Sequence, residues 1–294
     1  MGVEEDQGHL VMSDGFNLSY RHWKTAGESR RVVLGLHGIG GHSGNFEYMG
    51  RWLPAQVQGT EVYAIDRRGF GGSVENGFVR GSMSSFARYL QDIDDTAELI
   101  LKIRPGKLFV FGKSLGCFHA LRFAANHPDS VEGLILAAPP IITPARLSPS
   151  LLVRVLLLLI FAPRTLVDSY RYQAEKLRES EEVKASQEDS LGAQGKFSAR
   201  YLYGVSRFLR TGLKNAGLVR APTLILQGDA DSTVAPEGAK ELLKNLASVD
   251  KTLRTFPDAN HNFFDSLPPR PNSRYTEAQR QQIIAAIAEW MNVH

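Results

Sequence analysis

The sequence contains a single cysteine, Cys117, among 294 residues. One thiol cannot form an intramolecular disulfide, so nothing in the fold requires an oxidising compartment, and we expect a cytoplasmic protein. The chain also lacks a run of Lys or Arg, and its formal charge is only +3, from 34 basic and 31 acidic residues. Because nucleic-acid-binding domains present clustered positive charge, this balance argues against nucleic acid as a partner.

Long apolar stretches are absent as well. The longest apolar run, residues 151–161, is interrupted by Arg154 and is followed by Pro163. It is shorter than the ~18 residues that a membrane-spanning helix needs, so we expect no such helix. The first six residues include three acidic ones and no apolar core, which argues against a cleaved signal peptide.

What the sequence does contain is a regular alternation of short apolar runs with helix-like segments, which is typical of a parallel sheet with crossover helices. Residues 8–23 predict a hairpin with its turn at 13–15. Buried strands are predicted at 31–36, 61–65, 107–111, 131–137, 222–227 and 251–256, and helices at 46–53, 83–103, 115–126, 237–246 and 276–291.

The alternation stops after Pro139 and Pro140 and resumes at residue 222. The intervening segment reads as helices only. We therefore predict a helical cap at 141–220, inserted into an α/β core formed by 1–140 and 221–294. The cap follows the sixth of eight predicted strands, where it would cover the mouth of an active site.

Two apolar features characterise the predicted cap. One is the run at 151–161, and the other is a set at spacings of four, four and three, namely Phe197, Tyr201, Val205 and Phe208. The spacing predicts one aromatic face of a helix. These side chains are expected either to pack against the core or a partner chain, or to line an acyl-chain channel and contact a lipid surface.

A glycine-flanked serine lies at the end of one predicted strand. The motif Gly-Lys-Ser-Leu-Gly at 112–116 connects the strand at 107–111 to the helix that starts at Leu115. So sharp a turn leaves no room for a Cβ at the flanking positions and exposes the serine in a strained conformation. Because a helix N-terminus also favours negative charge, the context predicts that Ser114 is a nucleophile.

A serine nucleophile needs a base, and the base needs an orienting acid. His261 follows the last predicted strand, whereas the other seven histidines lie near the termini, in or just after the serine helix, or in the glycine loop at 37–42. Asp231 follows the preceding strand and has the expected order of serine, acid and histidine. Asp229, Asp258 and Asp265 remain alternatives for the acid.

The glycine loop at 37–42 follows the strand at 31–36. Stabilising a tetrahedral intermediate takes two N–H donors, one after the nucleophile and one from such a loop, which predicts the backbones of Leu115 and Ile39. Its glycines lack the spacing of a nucleotide-binding loop. His37 and His42 are five residues apart, and no cluster has metal-ligand spacing, so we expect no metal.

Taken together, these motifs resemble the α/β-hydrolase superfamily. They are the His37-Gly38 pair, the turn from Asp66 to Ser73, the motif at 112–116, the segment from Gln227 to Asp231, and His261. The H-G-x-G-x-H-S-G run at 37–44, followed by Phe46, and the G-x-x-D spacing at 228–231 are similar to monoacylglycerol lipases and related lysophospholipases.

The resemblance implies an α/β-hydrolase fold, with a mostly parallel eight-stranded sheet flanked by helices and a helical cap. It implies Asp231 as the acid and Ile39 and Leu115 as the oxyanion donors. Such lipases usually carry His and Met beside the serine, where this chain has Lys113 and Leu115. The turn at 66–73 is expected to be structural, with a substrate role for Arg67 or Arg68 as the alternative.

The sequence therefore predicts a serine hydrolase that needs no cofactor and cleaves carboxylic esters with fatty acyl chains. Its partners would be an ester or lipid and, through the cap, transiently a membrane surface. A peptidase, a carbon–carbon bond hydrolase or a non-catalytic receptor with the same fold remain alternatives, because fold does not determine function.

Overall fold

The structure is a computed structural model, and it describes residues 2–142, 149–172, 181–263 and 276–294. Parts of the predicted cap, 143–148 and 173–180, and the alternative acid Asp265 lie outside these residues.

Ten strands are found in the described ranges. They are β1 (Val3–Val11), β2 (Asn17–Thr25), β3 (Arg31–Leu36), β4 (Thr60–Ile65), β5 (Leu108–Lys113), β6 (Val131–Ala137), β7 (Leu166–Asp168), β8 (Lys196–Ser198), β9 (Thr223–Gly228) and β10 (Lys251–Phe256). Eight of them form one sheet in the order β1-β2-β4-β3-β5-β6-β9-β10. In this sheet β2 runs in the opposite direction to the other seven strands, so its pairings with β1 and β4 are antiparallel and the others are parallel. The predicted mostly parallel eight-stranded sheet is confirmed.

The helices of the same ranges are α1 (Glu47–Gln56), α2 (Phe86–Ile103), α3 (Leu115–Asn126), α4 (Pro149–Phe161), α5 (Glu181–Glu188), α6 (Ala199–Phe208), α7 (Gly212–Ala216), α8 (Glu237–Asn245) and α9 (Glu277–Val293). None of them is long and apolar enough to cross a membrane. The predicted helix at 83–103 begins three residues later than expected, because the Ser85 side chain accepts a hydrogen bond from the backbone N–H of Arg88 and caps α2 there.

The sheet is buried on both faces. Successive residues of a strand point to opposite faces, so Leu34 of β3 packs in the cluster formed with α2, α3 and α8, and Val33 packs with α1 and α9. Phe109 and Val110 of β5 divide in the same way. This two-sided burial explains why these strands show no polar alternation.

The segment predicted as helices only contains a short β-ribbon, which corrects that prediction. β7 and β8 pair antiparallel, with Val167 opposite Phe197. Phe197 therefore lies in a strand and not on a helix. The Ser198 side chain accepts a hydrogen bond from the Tyr201 N–H and starts α6 after it. Phe197 nevertheless packs 5.3 Å from Tyr201, between ring centroids, in one buried cluster.

Candidate active site

Ser114 lies between β5 and α3 in a backbone conformation that few L-residues adopt, with φ of +50° and ψ of −120°. The flanking glycines make the turn possible. A Cβ on Gly116 would overlap the carbonyl oxygen of Leu36, and one on Gly112 would overlap that of Gly116. Because these obstacles are backbone atoms, no side-chain rotation could relieve them.

The carboxyl ends of β5, β9 and β10 meet at one edge of the sheet, and this brings together three residues that are far apart in the chain. His261 Nε2 lies 3.0 Å from Ser114 Oγ. Its other ring nitrogen, Nδ1, lies 2.8 Å from Asp231 Oδ2. All three residues are buried. A serine hydroxyl bonded to an imidazole that is itself oriented by a carboxylate is the arrangement that activates serine for nucleophilic attack.

Asp231 is held as a carboxylate by its surroundings. Its Oδ1 accepts hydrogen bonds from the backbone N–H groups of Thr233 and Val234, both at 2.9 Å, and its Oδ2 accepts one from the Gln227 amide at 3.3 Å. Burial raises the pKa of Asp231, but the hydrogen bond from His261 and the two backbone donors outweigh burial and lower the pKa below its usual value. Asp231 can therefore stabilise a positively charged His261.

The other candidate acids have different surroundings. Asp229 is exposed, and its Oδ1 accepts a hydrogen bond from the Asp258 N–H at 2.7 Å, which closes the turn after β10. Asp258 is exposed as well. Among the candidate acids that lie in the described residues, Asp231 is the one whose carboxylate contacts His261.

The predicted oxyanion donors flank the serine. Leu115 supplies the first N–H of α3, which has no partner within a helix. The loop carrying Ile39 lies against Ser114, since a Cβ on Gly38 would be 3.3 Å from the Ser114 Cβ. In the described part of the chain, neither the Ile39 nor the Leu115 N–H has a hydrogen-bond partner. Both are available to a bound oxygen.

Lys113, which replaces the usual histidine beside the serine, reaches the loop that carries His261. Its Nζ donates to the Asn262 side-chain oxygen at 3.2 Å. This contact joins positions 149 residues apart, so no local sequence pattern indicated it. It links the end of β5, just before Ser114, to the loop that carries His261.

The segment predicted as a cap also contacts the glycine loop at 37–42. These contacts join distant positions of the chain, so no local sequence pattern indicated them. The Ala193 N–H donates to the Gly40 carbonyl at 2.9 Å. His42 Nε2 lies 3.1 Å from Asp189 Oδ2. Burial raises the pKa of Asp189, but the hydrogen bond and charge of His42, together with the backbone donors of Leu191 and Gly192, outweigh burial and lower the pKa. The glycine loop is thus held from the cap side.

In the turn at 66–73, Arg68 forms buried ion pairs, and Cys117 is buried in the core. Arg68 is buried against Asp92, with Nε 2.7 Å from the carboxylate, and it also pairs with Asp14. Cys117 is buried in α3, and burial raises the pKa of its thiol well above the usual value. Within the ranges that the structure covers, no three His, Cys, Asp or Glu side chains are grouped as metal ligands.

Comparisons with known proteins show the family of this chain. The Hydrolase_4 family model, described as serine aminopeptidase S33, matches residues 27–266. The human monoglyceride lipase is 31% identical over 93% of this chain and 89% of its own length, and the monoacylglycerol lipase of Mycolicibacterium smegmatis is 25% identical over 95% and 94%. The crystal structure of Paleococcus ferrophilus monoacylglycerol lipase superposes with a TM-score of 0.71 at 26% identity, covering 99% of this chain and 98% of that one. The chain belongs to the serine aminopeptidase S33 family of α/β hydrolases, and its curated relatives include monoglyceride lipases.

Proposed function

We propose that this chain hydrolyses carboxylic esters of fatty acids, such as monoacylglycerols, through an acyl-enzyme on Ser114. The observation that carries the proposal is the pair of hydrogen bonds from Ser114 to His261 and from His261 to Asp231. The names of the curated relatives, monoglyceride and monoacylglycerol lipases, support the substrate class.

In the acylation step, Ser114 Oγ attacks the ester carbonyl carbon while His261 Nε2 takes the hydroxyl proton. Asp231 keeps the proton of neutral His261 on Nδ1 and stabilises the imidazolium that forms. The carbonyl oxygen gains negative charge and receives hydrogen bonds from the Ile39 and Leu115 N–H groups.

The intermediate then collapses. The bond to the alcohol oxygen breaks, and His261 Nε2 gives its proton to the departing alcohol. Water, deprotonated in turn by His261, attacks the acyl-enzyme and releases the fatty acid, which restores Ser114. Each of these steps uses side chains and backbone groups of this chain.

The cap supplies apolar surface beside the nucleophile. Leu115 belongs to one buried cluster with Leu151 and Val155 of α4 and with Phe197. We assign residues 141–220 as the cap and 1–140 and 221–294 as the core, and we expect the cap to hold the acyl chain. The opposite face of α4 exposes Ile160 and Phe161, and we propose that it contacts lipid surfaces transiently.

Ser114→Ala tests the mechanism. On p-nitrophenyl esters from acetate to dodecanoate, the variant should lose on the order of 10⁵ in kcat. The matched control is Ser82→Ala, since Ser82 is equally buried but its hydroxyl has no partner in the described residues. Turnover that survives Ser114→Ala would contradict the mechanism, and equal rates across the chain lengths would contradict an acyl site under the cap.

The family description favours one rival, an aminopeptidase. The same three side chains could cleave an amide. Aminoacyl 4-nitroanilides distinguish the two, because the proposed lipase should turn over the fatty ester at least 10²-fold faster by kcat/KM. Faster anilide cleavage would replace the proposed substrate class and leave the roles of Ser114, Asp231 and His261 intact.

A further inference from the structure

The peptide unit that joins Gly38 to Ile39 lies directly beside the nucleophile. An ideal Cβ on Gly38 would be 3.3 Å from the Ser114 Cβ and 3.6 Å from the Lys113 carbonyl oxygen. In a trans peptide the C=O and the N–H point in opposite directions. Whatever holds the Gly38 carbonyl therefore sets the direction of the Ile39 N–H.

The Gly38 carbonyl is held by several donors. Arg67 Nη2 donates to it at 2.8 Å. His37 Nδ1 lies at the same distance, and the Gly41 N–H closes the turn at 3.4 Å. Because His37 Nε2 accepts the backbone N–H of Arg67 at 3.2 Å, the His37 proton is on Nδ1 and is donated to Gly38. Arg67 Nη2 also donates to the His37 carbonyl.

His37 remains neutral in this arrangement. Burial lowers its pKa well below the usual value, and the adjacent charge of Arg67 lowers the pKa further. Of His37 and Arg67, only Arg67 therefore carries a positive charge behind the loop.

Arg67 is unusual because its charge is fully buried without a counter-ion. Among the described residues, no carboxylate lies within ion-pair distance of its guanidinium, and Nη1 has no hydrogen-bond partner. The neighbouring Arg68, by contrast, pairs with Asp92, Asp14 and Glu75. The guanidinium is met by backbone carbonyls and by the Tyr89 ring, whose centroid is 5.3 Å away. A buried cation without a counter-ion opposes folding. A developing negative charge on the other side of the Gly38–Ile39 peptide would compensate for it.

We propose that Arg67 is a positioning residue for ester hydrolysis: it fixes the Gly38–Ile39 peptide so that the Ile39 N–H points to the oxyanion, and its charge favours that oxyanion. The inference rests on the proposed function. It predicts that Arg67 acts on the transition state and has little effect on substrate binding, because its contacts are to the loop backbone and to the His37 and Tyr89 rings.

The test compares Arg67→Met, Arg67→Lys and the control Arg122→Met. Arg122 is a partly buried arginine of α3 that pairs with Asp94 at 2.7 Å and does not contact the loop. Arg67→Met should lose about 10²-fold in kcat on p-nitrophenyl dodecanoate, with KM changed less than about threefold, since losing one oxyanion donor costs about 10² to 10³. Arg67→Lys should recover to within about tenfold, because a single nitrogen, Nη2, makes both carbonyl contacts and Nζ can replace it.

The concentration of active sites is measured by fluorophosphonate titration, and kcat is calculated per active site so that misfolded molecules do not lower it. The second readout is inhibition by a long-chain alkyl trifluoromethyl ketone, whose serine adduct carries an oxyanion. Its Ki should rise in Arg67→Met in parallel with the loss of kcat/KM. A merely structural residue would change the titrated fraction and leave kcat per site and Ki unchanged.

Unchanged kcat per site in Arg67→Met would overturn the inference while leaving the proposed function in place. A wild-type chain without ester turnover would contradict both. Should Arg67→Met not fold, Arg67→Gln carries the same expectation. If neither neutral variant folds and Arg67→Lys does, Arg67 is a structural cation and the inference is wrong.

Discussion

At the scale of single residues, the two aspartates after β9 show how surroundings assign a role. Asp231 and Asp229 are two positions apart, but only the former is buried and faces an imidazole. Asp229 instead accepts a backbone hydrogen bond across the turn. The same type of side chain therefore bonds an imidazole at one position, where we propose that it is the orienting acid, and caps a turn at the other.

Asp231→Asn should reduce kcat by about 10⁴, because an amide in this place favours the wrong tautomer of His261. Asp229→Asn is the matched control and should retain kcat to within about twofold. Steady-state hydrolysis of a p-nitrophenyl ester measures both. Comparable losses in the two variants would contradict the assignment of Asp231.

From the sequence alone, local pattern and strand order predicted the serine and the histidine, whereas the choice of Asp231 as the acid rested mainly on the family resemblance. Ser114 has a local signature, since a strand, two glycines and a helix surround it, and His261 follows the last strand. Asp231 and Asp229 both follow β9, and periodicity does not separate them. The family resemblance favoured Asp231, and the structure brings it to His261. The contacts of Arg67, Lys113 and Asp189 join positions far apart in the sequence, where no local pattern exists.

At the scale of elements, secondary structure was predicted correctly where a segment is long enough to show a clear burial pattern. The central strands were predictable because burial on both faces leaves continuous apolar runs. The β7–β8 ribbon was not, because three-residue strands are too short to show a period. Phe197 was wrongly predicted to lie on a helix, because its spacing to Tyr201 fits a helical period. The helix in fact begins after Ser198, which lies between the two residues.

The end of α4 exposes two large apolar side chains. Ile160 and Phe161 are 73% and 80% exposed, although both are apolar. We expect Ile160→Ser combined with Phe161→Ser to reduce binding to phospholipid vesicles severalfold in a sedimentation assay, without changing kcat on a water-soluble short-chain ester.

The control for this experiment is Val249→Ser combined with Val293→Ser, since these apolar side chains are 99% and 78% exposed and lie outside the cap. The control should bind vesicles like the wild-type chain. If both double variants bind equally, α4 has no special contact with lipid.

At the scale of the whole molecule, one buried carboxylate connects two neighbouring strands of the sheet to the end of α2. Glu61 of β4 pairs with His22 of β2 at 2.9 Å and with Arg104, which follows α2, at 3.1 Å. Burial raises the pKa of Glu61, but the hydrogen bonds from His22 and Arg104 outweigh it and lower the pKa from 4.5 to about 2. A lowered carboxyl pKa stabilises the fold above the unfolded-state pKa, and this stability is lost as the pH falls towards the folded-state value.

The free energy of unfolding in urea should therefore fall as the pH is lowered from 4.5 to about 2, and Glu61→Gln should make that dependence shallower. Glu98→Gln is the control, because Glu98 is an exposed residue of α2 that pairs only at the surface with Lys102. It should keep the wild-type dependence on pH. An unchanged slope in Glu61→Gln would show that this pair does not stabilise the fold.

The central claim is that Ser114 is activated by His261, and covalent labelling tests it most directly. The chain, its His261→Ala variant and its His9→Ala control are treated with a fluorophosphonate, digested and mapped by mass spectrometry. The account predicts one modified residue, Ser114, in the wild-type and control chains, and labelling slowed by about 10³-fold or more in His261→Ala. Labelling at another residue, or at the same rate without His261, would contradict it.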